Sequence, residues 1–307
     1  MTDIAMIDAA AARLAGHARL TPMLSSPFLD DIAGRRLFVK AECLQHTGSF
    51  KFRGAWSAVS ALPASVRARG VLAFSSGNHA QGIALAARLH GVPAVIIMPA
   101  DAPRMKIDNT RDLGAEVVLY DRATQNRDAL GDAISAQRGL TLIRPYDDAQ
   151  VIAGQGTVGL EIARQAAAEG VVRADVLVCC GGGGLTSGIA VALADRAPGL
   201  RARPAEPAGF DDVARSLASG RIERNAVLSG SVCDAIVTPQ PGEITFPLLK
   251  RHCGPGLVVT DDEAMQAVAL AAALFRRDQI TGDAVIAVAS GGNVDADQFA
   301  GILARFA

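Results

Sequence analysis

Short apolar runs rich in β-branched residues alternate with longer amphipathic stretches, and this alternation constrains the fold of the chain more than any other feature. Extended runs fall at 37–42, 71–74, 94–99, 116–120, 140–144, 176–180, 257–260 and 284–289. Helical periodicity falls at 6–17, 51–62, 79–90, 104–113, 126–137, 156–168, 185–197 and 262–274. Strands that alternate with helices of this length predict an α/β fold built on mainly parallel sheet. At ~150 residues per domain, the chain makes about two domains. In open parallel sheets ligands bind beyond the carboxyl ends of the strands. The turns that follow strands are therefore the places to look for chemistry. The stretch 198–231, rich in Pro, Gly, Asp and Arg, has the weakest patterning and reads as a surface connection.

Composition excludes several classes of function. The formal net charge is −1, with no basic stripe for nucleic acid and no block of like charge. No apolar run reaches the ~20 residues of a membrane span. Neither nucleic acid nor membrane is expected as a partner. Cys43, Cys179, Cys180, Cys233 and Cys253 are odd in number and lack CxxC or metal-type spacing. A reduced, cytoplasmic setting is expected. The N-terminus lacks the charged and apolar regions of a signal peptide. Lysine is scarce: only Lys40, Lys51, Lys106 and Lys250 are available to form an imine with an aldehyde.

Four turns stand out. Thr47-Gly48-Ser49-Phe50-Lys51 opens a helix, where Ser49 is placed to cap the N-terminus. The helix dipole there disfavours a cation and favours an uncharged, nucleophilic amine. An exposed surface lysine gives the same local pattern. Ser75-Ser76-Gly77-Asn78-His79 joins a strand to a helix, and its hydroxyls, amide and free N–H groups suit a carboxylate or phosphate. Ordinary capping is the plain alternative. Gly181 to Gly184 follow a strand and precede a helix, so their N–H groups can converge on one anion. Thr186 and Ser187 stand at the third-glycine positions, and no Gly-Lys-Ser/Thr follows, so neither the dinucleotide fingerprint nor a Walker loop is met. A flexible loop is the alternative. Ser290-Gly291-Gly292-Asn293 closes an apolar strand and presents a hydroxyl above the sheet, or simply makes a tight turn. Together they supply an amine, an anion nest and a partner for a ring nitrogen, as a phosphorylated aldehyde cofactor requires.

The conjunction of LTPML (20–24), TGSFKFRGA (47–55), SSGNHAQG (75–82), AGQGT (153–157), GGGGLTSG (181–188), EPAGFDD (206–212) and SGGNVD (290–295) spans nearly the whole chain. It resembles the fold-type II pyridoxal-phosphate enzymes, in the branch of serine/threonine dehydratases and serine racemase. The resemblance implies two mainly parallel open twisted sheets flanked by helices. A small domain at 70–147 would be inserted in a large one made of 1–69 and 148–307. It implies that Lys51 holds the cofactor as an imine and that Phe50 packs on its ring. Asn78 would meet the ring hydroxyl, Gly181, Gly182, Gly183, Gly184 and Leu185 the phosphate, and Ser290 the ring nitrogen. Ser75, Ser76, Asn78 and His79 would bracket the substrate carboxylate, with Ser76 as acid/base on the face opposite Lys51. Glu206, the carbonyl of Phe210 and Asp212 would hold a divalent cation, Mg²⁺ or else Mn²⁺ or Ca²⁺; a solvated acidic turn is the alternative. Arg127 matches an arginine at the active-site mouth, where it would meet a second substrate carboxylate or remain a solvated helix residue. A homodimer and a small amino-acid substrate are implied as partners.

The implied reaction is α,β-elimination from serine or threonine to a 2-oxo acid and ammonia. Serine racemisation and 3-hydroxyaspartate dehydration are alternatives. Three departures from the family pattern bear on it. Ala80 replaces the usual glycine after Asn-His, and Cys180 replaces a more usual Val or Pro before the glycines. The Glu-Pro-Gly/Ser-Gly-Ala motif expected before the final strand is absent: the Ala-rich run 267–274 leads directly toward Ser290. That loss raises a third alternative, a catalytically impaired protein that binds the cofactor or an amino acid.

Overall fold

The computed structural model describes residues 1–102, 104–265, 267–294, 299–301 and 304; Asp295, the last residue of the SGGNVD stretch, lies outside them. Among the described residues ten strands are formed: β1 Met23–Ser25, β2 Arg36–Lys40, β3 Val71–Phe74, β4 Ala94–Pro99, β5 Glu116–Tyr120, β6 Thr141–Leu142, β7 Ala174–Cys179, β8 Leu200–Pro207, β9 Leu257–Val259 and β10 Ala284–Val288. The α-helices are α1 Ile4–Leu14, α2 Pro27–Ala33, α3 Lys51–Ala61, α4 Ala64–Arg67, α5 Asn78–Leu89, α6 Arg104–Asp112, α7 Arg127–Arg138, α8 Ala149–Ala168, α9 Gly184–Arg196, α10 Asp212–Ser219, α11 Thr245–His252, α12 Asp261–Ala264 and α13 Val268–Phe275. No described helix is long and apolar enough to cross a membrane.

Two sheets organise these elements. The larger runs β1-β2-β10-β7-β8-β9 and is parallel except for the edge strand β1. The smaller runs β5-β4-β3-β6 and is wholly parallel. β10 lies between β2 and β7 and is buried throughout. A strand covered on both faces reads as an unbroken apolar run, which is why Ala-Val-Ile-Ala-Val is recognisable from sequence.

The stretch 198–231 is not a surface connection. It contains β8, which pairs with both β7 and β9, and then α10. Its arginines mislead the reading of the sequence. Arg203 is buried in β8 because its guanidinium meets the Asp175 carboxylate of β7 at 2.9 Å and also donates to the carbonyls of Pro255 and Gln279. A buried charge is tolerated when it is paired and hydrogen-bonded.

Helix α8 begins seven residues before the expected start at 156. Asp148 caps it, accepting from the N–H groups of Gln150 and Val151. Glycine weakens a helix locally, which hid its first two turns. Packing reverses that penalty: a Cβ at Gly156 would lie 2.7 Å from the Ile7 side chain, and one at Gly159 2.8 Å from Ala192. The glycines thus let α1 and α9 approach α8. The single helix expected over 262–274 is instead two, α12 and α13. They are separated at Ala267, a non-glycine residue with φ of 77°. Left-handed backbone is costly for alanine, and here it turns the chain so that α13 packs on the larger sheet through Ala271, Ala272 and Ala273.

Candidate active site

The carboxyl ends of both sheets face one cavity of about 490 Å³. All the cofactor- and substrate-type positions singled out in the sequence border it: Phe50, Lys51, Ser75, Ser76, Asn78, His79, Arg127, Gly181 to Gly184, Leu185 and Ser290. The cation-type residues Glu206, Phe210 and Asp212 do not.

The lysine turn is held by the final loop. Thr47 and Gly48 both take positive φ, 58° and 68°, and Ser49 bridges to Gly291. Phe50 N–H donates to the Ser290 carbonyl at 3.0 Å, and Gly292 N–H to the Gly48 carbonyl at 3.0 Å. Asn293 Nδ2 donates to the Thr47 carbonyl at 2.7 Å and to Asn78 Oδ1 at 2.8 Å. Lys51, Asn78 and Ser290 come from three distant segments and are positioned by this one set of bonds. Ser49 does not cap α3. The cap position is Phe50, with no side-chain cap, and the Ser49 hydroxyl is buried without a partner.

Lys51 is set apart from the other three lysines. Lys40 is fully buried and bound to Glu161, Gln165 and the Thr21 carbonyl. Lys250 donates to the Gly220 carbonyl at the surface. Lys106 borders the cavity but sits 3.8 Å from Asp234. Among the described residues Lys51 Nζ donates only to the Pro145 carbonyl, at 2.8 Å, and burial pushes its pKa down to about 8. Desolvation, rather than the helix dipole, is the cause, because no compensating anion accompanies it.

The glycine loop has no room for side chains. A Cβ at Gly181 would lie 2.9 Å from the Ile236 carbonyl, one at Gly183 2.7 Å from Leu249, and one at Gly184 2.8 Å from Gln155 Oε1. At Gly182 it would collide with the Tyr146 ring. Gly183, at φ of 92°, caps α9. The loop therefore brings bare backbone to a helix N-terminus, the arrangement that binds phosphate. Among the described residues, Thr238 Oγ1 and both amide atoms of Gln155 are buried nearby without partners. A phosphate-bearing group fits this cradle of N–H donors.

In the asparagine turn, Ser75 Oγ accepts from Gly77 N–H at 3.1 Å, and Ser76 borders the cavity. Asn78 Oδ1 is occupied by Asn293, which leaves its amide N–H₂ as donor. The His79 ring does not bracket a carboxylate as a donor. Its Nε2 lies 3.1 Å from the Ile143 carbonyl and must carry the proton there, so the buried, unpartnered Nδ1 has only a lone pair to offer. Burial, and then the charge of Lys51, pushes its pKa down to about 3, which keeps the ring neutral.

Arg127 sits at the start of α7. Its guanidinium lies 4.9 Å from the centre of the Phe74 ring, and its Nε and Nη2 donate to Asp128. Gly131 permits this approach, since a Cβ there would overlap the Phe74 ring. Away from the cavity, Glu206 and Asp212 are both buried. Glu206 accepts from the N–H groups of Val213 and Ala214 and Asp212 from Asn225, while Asp212 Oδ2 is buried without a partner. Burial, and then the neighbouring Asp212 carboxylate, pushes Glu206 well above the usual range; burial pushes Asp212 up to about 6. Two adjacent buried acids with one unpartnered oxygen fit a hard divalent cation. Among the described residues no cluster of three or more His, Cys, Asp or Glu is poised for a metal.

Tyr146 and Thr238 also border the cavity, and sequence reasoning missed them; Lys106 and Cys179 border it as well, named in the sequence but given no place in the site. Only Tyr146 had a signal, its place just before the Asp148-capped helix that carries AGQGT. Among the described residues none between 239 and 289 lines the cavity, so the Ala-rich junction adds no wall to it.

The family model for pyridoxal-phosphate dependent enzymes matches residues 14–298. An L-threo-3-hydroxyaspartate ammonia-lyase from a Pseudomonas species is 40% identical, with 96% of each chain covered. That alignment spans 312 positions, more than the 307 residues of this chain, so the relative carries residues that are lacking here. A serine racemase from Schizosaccharomyces pombe is 36% identical, covering 97% of this chain and 96% of its own. Among solved structures, a threonine deaminase from T.th. superposes with a TM-score of 0.89 at 40% identity, covering 95% of this chain and 99% of that one.

Proposed function

Because this chain belongs to the pyridoxal-phosphate-dependent enzyme family, we propose that it is an ammonia-lyase. It eliminates the β-hydroxyl and the amino group of a small L-hydroxy amino acid, yielding a 2-oxo acid and ammonia. The observation that carries this reading is the Lys51 amine, which lines the same cavity as the glycine cradle and whose pKa is pushed down to about 8, so that a large fraction is uncharged near neutral to mildly alkaline pH. The cofactor supplies an aldehyde that binds amines and a ring that withdraws electrons from the α-carbon. Gly181 to Gly184 and Leu185 would hold its phosphate, Phe50 would pack on the ring, and Asn78 would donate to the ring hydroxyl. Ser290 would partner the ring nitrogen; a hydroxyl there does not force protonation, which suits elimination. Lys51 takes the α-proton at Nζ, and Ser75, Ser76, the Asn78 amide and the backbone of the asparagine turn receive the substrate carboxylate. The neutral His79 ring adds no charge to that pocket.

Within this class the cavity favours a substrate with a second carboxylate. Arg127 borders it, fixed by Phe74 and Asp128, with Nη1 making no bond to described residues. A relative active on L-threo-3-hydroxyaspartate is consistent with that preference. The test is to compare oxaloacetate formed from L-threo-3-hydroxyaspartate with pyruvate from L-serine and 2-oxobutanoate from L-threonine, in native protein and in Arg127→Met. A selective loss of the first supports the reading; equal use of all three, unchanged by the substitution, refutes it. Recovery of D-serine would instead favour racemisation, with Ser76 as the second acid/base. Cofactor binding with no turnover on any substrate would mean that the shortened junction has disabled the site.

Glu206, Asp212 and the Phe210 carbonyl would hold Mg²⁺, or Mn²⁺ or Ca²⁺, as a structural cation beneath α10. The chain forms a homodimer through α2 and β1, where Leu24, Phe28 and Ile32 are exposed at 51%, 79% and 56%. Phe28→Asp should yield a monomer by light scattering. The small sheet moves against the large one to close the site, and five unpaired thiols suit a reducing cytoplasm.

A further inference from the structure

We propose that Cys179 is a positioning residue for Ser290: its thiol donates to the Ser290 hydroxyl and so commits that hydroxyl's own proton to the cavity. The inference rests on the reading of Ser290 as partner of the ring nitrogen. Cys179 ends β7, and Ser290 stands two residues beyond β10, on adjacent strands paired with Val178 opposite Val288. The Cys179 Sγ lies 3.1 Å from Ser290 Oγ and 3.7 Å from the Val288 carbonyl. Both side chains border the cavity. Burial raises the pKa of the Cys179 thiol, which therefore keeps its proton. It has one proton to give, and Ser290 Oγ is the nearer acceptor.

The consequence follows from the inventory of a hydroxyl, one donor and two lone pairs. Once the thiol fills a lone pair, the serine cannot direct its own proton back along the same line. Among the described residues no acceptor is bonded to that proton. A ring nitrogen facing Ser290 then meets a donor rather than a freely turning rotor. The ring nitrogen remains an acceptor, as a moderate electron sink requires. Cys179 touches no reacting atom in this scheme and acts only through Ser290.

Three variants separate this role from simple packing against Leu177 and Ala287 in the core beneath. Cys179→Val preserves bulk and removes the donor; Cys179→Ser restores a donor; Ser290→Ala removes the hydroxyl. Each is titrated with pyridoxal phosphate, reading the dissociation constant and the position and pH dependence of the visible band. Melting of the cofactor-free protein is measured alongside. The valine variant should bind the cofactor roughly three- to ten-fold more weakly, the scale of one neutral hydrogen bond. Its band should shift, and serine should recover both. In Ser290→Ala the valine substitution should add nothing, because the two residues act as one unit. Native affinity and spectrum in Cys179→Val would overturn the proposal, as would losses that serine does not rescue. An unchanged Ser290→Ala would overturn the reading of Ser290 itself, a separate outcome.

Discussion

Replacing Arg53 with methionine tests the buried charge cluster that seats the lysine helix. Arg53 lies two residues after Lys51 and is 1% exposed. Its Nε and Nη2 meet the two oxygens of Glu42 at 2.8 and 2.9 Å, and its Nη1 and Nη2 meet those of Glu161 at 2.7 and 3.0 Å. Lys40 Nζ completes the set, 2.6 Å from Glu161. Two acids against two cations are neutral; without Arg53 one buried carboxylate is uncompensated. Breaking a buried pair in this way costs ~3–5 kcal/mol. At ~2–4 °C per kcal/mol, the melting temperature of the cofactor-free protein should fall by on the order of 10 °C at pH 7. The pH dependence has a definite sign. Burial pushes the Glu161 carboxyl up, but Arg53 and then Lys40 outweigh it and hold it below its ordinary 4.5. A depressed carboxylate stabilises the fold above its unfolded pKa, and that stabilisation is lost as pH falls through the folded value. The deficit of Arg53→Met should therefore be greatest above pH 4.5 and narrow below it. Adding Glu42→Gln restores neutrality and should recover part of the loss. Circular-dichroism melts at pH 7 and pH 4 read all of this. A fall under about 2 °C, or a double variant no better than the single one, would refute the reasoning, given the ~3–5 kcal/mol expected.

Three further outcomes are expected. Gly182→Ala drives a methyl into the Tyr146 ring; at ~1–3 kcal/mol for overpacking, cofactor affinity should drop by roughly ten-fold or more in a fluorescence titration. The rate at which Lys51 captures added pyridoxal phosphate should rise with pH and level off near 8, because only the neutral amine attacks and its pKa is about 8 rather than 10.5; a rate still climbing at pH 10 in stopped-flow absorbance would contradict this. Mg²⁺ should raise the melting temperature of the native protein, by ~2.7 kcal/mol of stabilisation at one hundred times its dissociation constant, and should leave Asp212→Asn unmoved in differential scanning calorimetry.

Much of the site was legible because its parts are local. A glycine run after a strand, a lysine opening a helix and a serine closing an apolar strand each occupy a few consecutive residues. The parallel sheets put all of them at one end. Bonds between segments far apart in sequence were not legible. Asn293 joins Thr47 to Asn78 across more than two hundred residues of chain, a link that no short stretch of sequence displays. Ser49 looked like a cap and is instead a buried strand-like residue bridged to Gly291. His79 was read as bracketing the substrate carboxylate, but its Nε2–H is spent on the Ile143 carbonyl.

The sequence alone determined the alternation of strands and helices, the family pattern and the choice among the turns, because periodicity and turn chemistry are short-range properties. Tertiary structure decided which charges are buried and which glycines are packing devices. Arg203 makes β8 an interior strand only through Asp175, and Gly156 and Gly159 favour α8 only because α1 and α9 press on it. It also decided that of the two lysines bordering the cavity, Lys51 and Lys106, it is Lys51 whose pKa burial pushes down to about 8. Burial and ion pairing depend on neighbours that the chain brings together only when it folds.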